Sequence, residues 1–346
     1  MRIPSFAKGT ALAIFFWTSL INGNAQDIHL SQFSSTPLLR NPALAGIFTG
    51  DTRFQAVYRN QWQSIGYPYQ TAALSGEYKF AVGDNDDFIT TGLSCFYDVA
   101  GVMRLKTLQL MPALNYHKSL SQNKSSYLSA GFMAGIVQRQ FDGKYLTFDN
   151  QYNNGRYDPA AFSGESFTGM RRSFADFAAG LSYNSSIGEA TNYYLGASLW
   201  HFNKPKANFL SDRRIQLDPK WQFNAGVRAS LSDFISLQAE ANHLMQANYR
   251  ETVGGAILFY SFNDQLGSDS RISNASIGAG LFMRVNDALI PQVQLSYNHF
   301  DIGLSYDINI SDLKVASRGR GGYELSLSYR AFTRSNTISY MRCPRF

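Results

Sequence analysis

The sequence predicts an all-β protein: one antiparallel transmembrane outer-membrane β-barrel of about 14 strands, preceded by an N-terminal lead-in or plug segment. Three observations carry this. Apolar and polar residues alternate in segment after segment, ending in Tyr323-Glu-Leu-Ser-Leu-Ser-Tyr329. The chain is aromatic-rich, at 14%, and charge-poor, at 16%. Its start reads as an export leader, and no apolar run long enough for a membrane helix follows. Lipid leaves no water to pair exposed backbone groups, so only helices and closed barrels cross it.

Residues 1–25 read as the leader. Arg2 and Lys8 give a positive start, Ala11 to Ile21 the apolar run, and Gly23-Asn24-Ala25 the small residues at cleavage. No cysteine stands there for lipid attachment. Residues 26–50 read as a periplasmic lead-in or a plug entering the lumen. Pro37 and Pro42 disfavour helix in the residues before them. The barrel is expected over 51–332 and a tail over 333–346.

Strand segments fall near 52–61, 70–80, 88–98, 105–118 and 125–141. The next are 173–186, 192–202, 216–230, 234–245 and 249–261, then 273–285, 288–298, 300–310 and 321–332. Many reach the length of about 9–11 residues that a tilted membrane strand needs. In 300–310, Phe300, Ile302, Leu304, Tyr306, Ile308 and Ile310 share one face, opposite Asp301, Gly303, Ser305, Asp307 and Asn309. In 221–230, Trp221 and Phe223 oppose Gln222 and Asn224. Pro112 and Pro291 lack a ladder donor and should mark a bulge or a strand start. The long connections 142–172, 203–215 and 311–320 are all odd-numbered, as external loops should be when both termini are periplasmic.

The N-terminal residues carry a family resemblance. Asp27-Ile-His-Leu-Ser-Gln-Phe33, Pro37-Leu38 and Asn41-Pro-Ala-Leu-Ala-Gly46 resemble the PorP/SprF family. So do Tyr58-Arg-Asn-Gln-Trp62, with Tyr69 and Thr71, and the end Cys343-Pro-Arg-Phe346. The resemblance implies an outer-membrane barrel of the type IX secretion system. It would help secrete, or anchor at the cell surface, a large surface protein or gliding adhesin. The implied partners are outer-membrane lipid, the secreted cargo or adhesin, and other type IX components. A channel for small apolar molecules, fatty-acid-transporter-like, is the alternative.

Candidate partner-binding residues fall in three places. Asn41, Pro42 and Gly46 fix a turn of the lead-in. Arg59, Asn60 and Trp62 stand at the outer end of the first strand, where Trp62 equally suits an interfacial girdle. The outer loops bring Tyr152, Arg156, Tyr157, Phe162, Arg171 and Arg172, then Arg213 and Arg214. Aromatic and arginine side chains dominate protein-binding hot spots. Such loops could equally fold over the mouth and close it.

No catalytic, cofactor or metal site is expected. The five histidines are scattered without ligand spacing, and no glycine-rich phosphate loop opens a helix. His201 with Asp212 is the nearest approach to a catalytic pair. The formal charge of +6 comes without the block of like charges that marks a nucleic-acid tail. An oxidising compartment permits a Cys95–Cys343 disulfide without requiring one.

Overall fold

A strand with one apolar and one polar edge needs two different surroundings, and this chain provides both by closing on itself. The computed structural model describes residues 29–63, 66–82, 86–121, 126–153, 155–164, 169–188, 190–209, 216–262 and 275–331. The leader at 1–25, the tail at 333–346 and the residues Asp212, Arg213, Arg214 and Cys343 lie outside them.

Fourteen antiparallel strands form one closed barrel. In order they are β1 (Thr52–Gln61), β2 (Tyr69–Val82), β3 (Asp87–Ala100), β4 (Leu105–Ser119) and β5 (Ser126–Gln140). A short pair, β6 (Tyr152–Asn153) and β7 (Arg156–Tyr157), forms its own hairpin in the following loop. The wall continues with β8 (Arg171–Ile187), β9 (Thr191–Trp200), β10 (Lys220–Ser230), β11 (Ile235–Gln246) and β12 (Tyr249–Ser261). It ends with β13 (Ala275–Arg284), β14 (Ala288–Tyr297), β15 (Phe300–Asn309) and β16 (Arg320–Ala331). The barrel shuts where β1 pairs with β16, Thr52 opposite Ala331 and Gln61 opposite Gly322. Closure leaves no unpaired edge, the condition for a sheet in lipid.

The facing follows the alternation. Phe300, Ile302, Leu304, Tyr306, Ile308 and Ile310 point outward and are exposed, while Asp301, Ser305, Asp307 and Asn309 are buried inside. Outward aromatics form two rows. Phe80, Tyr116, Phe234, Tyr260, Tyr297 and Phe300 stand near the short-turn end; Tyr58, Tyr97, Trp221, Phe223, Tyr306 and Tyr323 stand toward the other. Leu110, Leu114, Leu181, Leu281, Val293 and Leu304 fill the band between. Aromatic girdles around an aliphatic belt match the two interfaces and core of a bilayer.

Connections 141–170, 201–219 and 310–319 rise from one end of the barrel, and mostly short turns close the other. The 262–274 connection, at the short-turn end, is the exception.

Both internal prolines depart from expectation. Neither starts a strand nor makes a bulge. Pro112 pairs with Leu93 of β3, and the β4–β5 register continues unbroken from Leu110/Ile136 to Ala113/Met133. Pro291 pairs with Leu281, and the β14–β15 register resumes at Gln292/Ser305. Each costs the ladder two partners on one side only. The closed wall on the other side tolerates the missing donor without a shift.

Residues 29–50 do not hang below the barrel. They lie inside it, starting beside the long-loop half of β15 and β16 and descending to Gly50 at the base of β1. Two short turns shape the descent. Pro37 opens a single helical turn, Pro37–Arg40, and Pro42 opens a 3-10 turn, Pro42–Leu44. Proline suits a first helical position because its missing N–H would have no partner there. Asn41 caps the second turn, its Oδ1 accepting from the Ala43 N–H at 2.8 Å.

The apolar side chains of this plug each meet a matching patch of inner wall. Phe33 packs edge-on against Phe282, ring centroids 5.6 Å apart, beside Val253, Ile257 and Ile290. Leu38 meets Met111, Met133 and Trp200; Leu30 meets Val57 and Ala73. Burying each such side chain contributes about 1.5–3 kcal/mol. The wall is therefore not polar throughout its inner face. It turns apolar where it faces the plug instead of water.

Candidate functional site

The polar contacts of the plug form three tiers. In the first, at the long-loop half, Glu324 of β16 accepts from the backbone N–H groups of Ser31 (2.6 Å) and Gln32 (2.7 Å). The same carboxylate accepts from Arg59 of β1 at 2.8 Å. Arg59 also donates to Asp307 (2.8 Å) and to the His29 carbonyl (2.8 Å). Arg284 of β13 donates to the Ser31 hydroxyl at 2.7 Å and lies 3.4 Å from Asp307. His29 stands 3.3 Å from Glu251. Burial, then the Arg284 and Arg59 guanidiniums, hold its pKa well below the usual histidine range.

The middle tier holds Arg40 and Asn41. Arg40 pairs with Glu240 of β11 at 3.0 Å, and both share the Tyr194 hydroxyl. Its carbonyl accepts from Ser198 and from the Trp200 indole. Asn41 donates to Asn224 and to the Leu181 carbonyl. Asn115 donates to the carbonyls of Ala43 and Ala45, and Ser182 to that of Ala43.

In the lowest tier the Gly46 N–H donates to Glu77 at 2.8 Å, and Glu77 also pairs with Arg53. Lys79 donates to the Phe48 carbonyl and lies over the Phe48 ring. Gly46 has φ +83°, and a Cβ there would strike Thr90. Only glycine takes that conformation cheaply.

Close approach also fixes Gly131 on the wall. A Cβ added there meets the Pro42 carbonyl carbon at 2.4 Å and the Ala43 nitrogen at 2.5 Å, both backbone. Gly131→Ala should therefore force the plug outward and cost about 1–3 kcal/mol. The urea midpoint of the lipid-refolded variant measures this; an unchanged midpoint would mean the plug yields freely.

The expected site residues divide by place. Asn60 is buried on the outward side of β1, opposite the lipid-facing Tyr323. Asn41, Pro42, Gly46 and Arg59 are buried within the barrel, and the polar contacts that Asn41, Gly46 and Arg59 make are to this same chain. They set the plug against the wall. Trp62 follows β1 with φ +58° and packs edge-on against Tyr69, centroids 4.7 Å apart. The loop residues stand apart from these. Tyr152 and Tyr157 are exposed on the β6–β7 hairpin with rings 5.4 Å apart, Arg156 is exposed beside them, and Phe162 is 82% exposed. Arg171 donates to Gln138, and Arg172 to the Asn208 carbonyl at 2.9 Å. Phe141 and Phe209 pack edge-on, tying the two long loops together.

His201 pairs with Asp176 of β8 at 2.8 Å, both side chains buried. The sequence pattern does not point to Glu324, Asp307, Arg284, Glu240 or Glu77. Each is a single charge on the inward edge of a strand, and only cross-strand register brings it to the plug. Among the described residues no group of acidic, histidine and cysteine side chains could hold a metal. Cys95 lies on the lipid-facing side of β3, half-buried and unpaired among the described residues.

Two cavities bear on transport. One of about 790 Å³ lies on the outer wall over Ala56, Gly76 and Thr91, open to lipid. Inside, between Leu39 of the plug and Thr107, Asp176, Trp200 and His201, the space is about 40 Å³.

A closed barrel with an aromatic-girdled apolar belt and an internal plug defines an outer-membrane protein. The profile of the type IX secretion system membrane protein family PorP/SprF matches residues 22–329, and the chain belongs to that family. It is a barrel of the bacterial outer membrane. Among solved structures it is similar to a deltaS2 mutant of the TodX monoaromatic hydrocarbon channel. There the TM-score is 0.48 at 9% identity, covering 85% of this chain and 93% of that one. The CymD monoaromatic hydrocarbon channel gives 0.46 at 9%, covering 86% and 93%. An outer-membrane channel from Pseudomonas putida F1 gives 0.41 at 11%, covering 81% and 94%. No curated protein sequence matches the chain.

Proposed function

We propose that this type IX barrel holds a secreted cargo, a large surface protein or gliding adhesin, at its long-loop mouth, and catalyses no reaction. The observation that carries this reading is the filled lumen. Three tiers of buried contacts bind residues 29–50 to the wall. A pocket for a small apolar ligand takes about 300–1,000 Å³, and the interior spaces beside the plug, of about 40 Å³ and 90 Å³, fall far below that. The working surface is then the mouth. Tyr152, Tyr157 and Phe162 are exposed there beside Arg156, the chemistry of binding hot spots.

The test is affinity purification of the tagged protein from outer membranes, with mass spectrometry of what accompanies it. A large secreted protein or type IX components should co-purify. Replacing Tyr152, Tyr157 and Phe162 together by Ser should reduce the cargo at least about tenfold, since one hot-spot side chain is worth about 2 kcal/mol. A clean monomer carrying fatty acid would replace this reading with that of a transporter.

A further inference from the structure

Beneath the plug, at the short-turn end, the lumen opens into a small polar vestibule of about 90 Å³. Ser34 and Ser35 of the plug lie over it, and Gln294, Ser296 and Ser328 supply amide and hydroxyl groups. Three arginines line it, Arg53, Arg228 and Arg330, against one lining carboxylate, Asp301. Arg330 pairs with Asp301 at 2.8 Å, and Arg53 turns to Glu77 at 2.7 Å. Arg228 has no such partner among the described residues. Its guanidinium lies 5.5 Å from the centroid of the Phe259 ring. The residue directly opposite on β11 is Gln238, whose amide donates to Glu240.

Arg228 is half-buried; Asp301 and Glu240 attract it at longer range but neither pairs with it directly. Its planar fork of donors is left to suit a carboxylate or phosphate. The neighbouring hydroxyls and amides can pair the remaining oxygens. We propose that the vestibule binds a small oxyanionic group, carboxylate or phosphate, entering from the short-turn end, with Arg228 as its chief contact. The site is independent of what the mouth holds. The space takes one such group, since a water needs only about 10–15 Å³ of it.

Calorimetric titration of the full chain in detergent micelles, at fixed ionic strength, tests the proposal with two probes. Sodium acetate represents the carboxylate and inorganic phosphate the phosphate; the probe that saturates names the oxyanion. Arg228→Gln should weaken binding at least tenfold. Gln238→Glu should do the same while keeping the arginine, because it sets a carboxylate opposite Arg228. It also carries the test if Arg228→Gln does not fold. No saturable binding of either anion by the unaltered chain overturns the proposal, as does binding unchanged in both variants.

Discussion

Glu324→Ala is expected to destabilise the refolded barrel by about 3–5 kcal/mol, the cost of leaving one member of a buried ion pair behind. The side chain is almost completely buried and accepts from Arg59 and from two backbone N–H groups of the plug. Its loss takes an acceptor from three donors at once. Asp307 remains to Arg59, but the N–H groups of Ser31 and Gln32 lose their acceptor among the described residues. The plug should loosen at its leading end before the wall unfolds. Guanidinium unfolding in liposomes gives the magnitude, and protease sensitivity at Arg40 reports the loosening. A change below about 1 kcal/mol, the level of an exposed pair, would show that this tier does not hold the plug.

Leu304→Arg is the second large effect. Leu304 faces outward near the middle of β15, between Phe300 of one aromatic row and Tyr306 of the other. A charge on the lipid face at the bilayer midplane costs about 2–4 kcal/mol, falling toward the interfaces. Ile302→Arg, the neighbouring outward position beside Phe300, should cost about as much. Negligible effects of both in a bilayer refolding assay would mean that this face does not meet lipid.

The wall was largely legible in the sequence. Every strand of the wall lies within a few residues of its alternating segment, because facing lipid on one side and the lumen on the other writes period two into the chain; the short β6–β7 hairpin in the following loop was not read. Strand 300–310 illustrates this: its outward set is apolar without interruption, and its inward set is polar or glycine. The β12–β14 wall was less legible. Val253, Ile257, Phe282 and Ile290 are apolar on the inner side because Phe33 covers them, and no local pattern announces a partner 220 residues or more away in the chain. The same distance hid the charge network. Glu324 meets Ser31 across a separation of 293 residues. The prolines misled for a related reason. A bulge is one answer to a missing donor, but a closed wall paired on the other side can simply forgo the bond. The turn at Asn41-Pro42 was readable from its residue types. That it would be sealed inside the lumen was not, since burial there depends on Gly131, Gly180 and Gly196 clearing space on three strands, β5, β8 and β9.

The direction of the plug sets a schedule for how the molecule is made. Residues 29–50 precede β1, and the seam that closes the barrel joins β1 to β16, the two ends of the wall. Their leading end lies near the long-loop half and their trailing end at the base. A wall that zipped shut while empty would face a threading problem, with a chain end to be pushed through the whole bore past charged side chains. The cheaper route lays this segment against the open sheet first and draws the seam over it. Whatever factor inserts the sheet into the membrane must then receive a half-wrapped intermediate, and must leave that seam unsealed until the segment has docked.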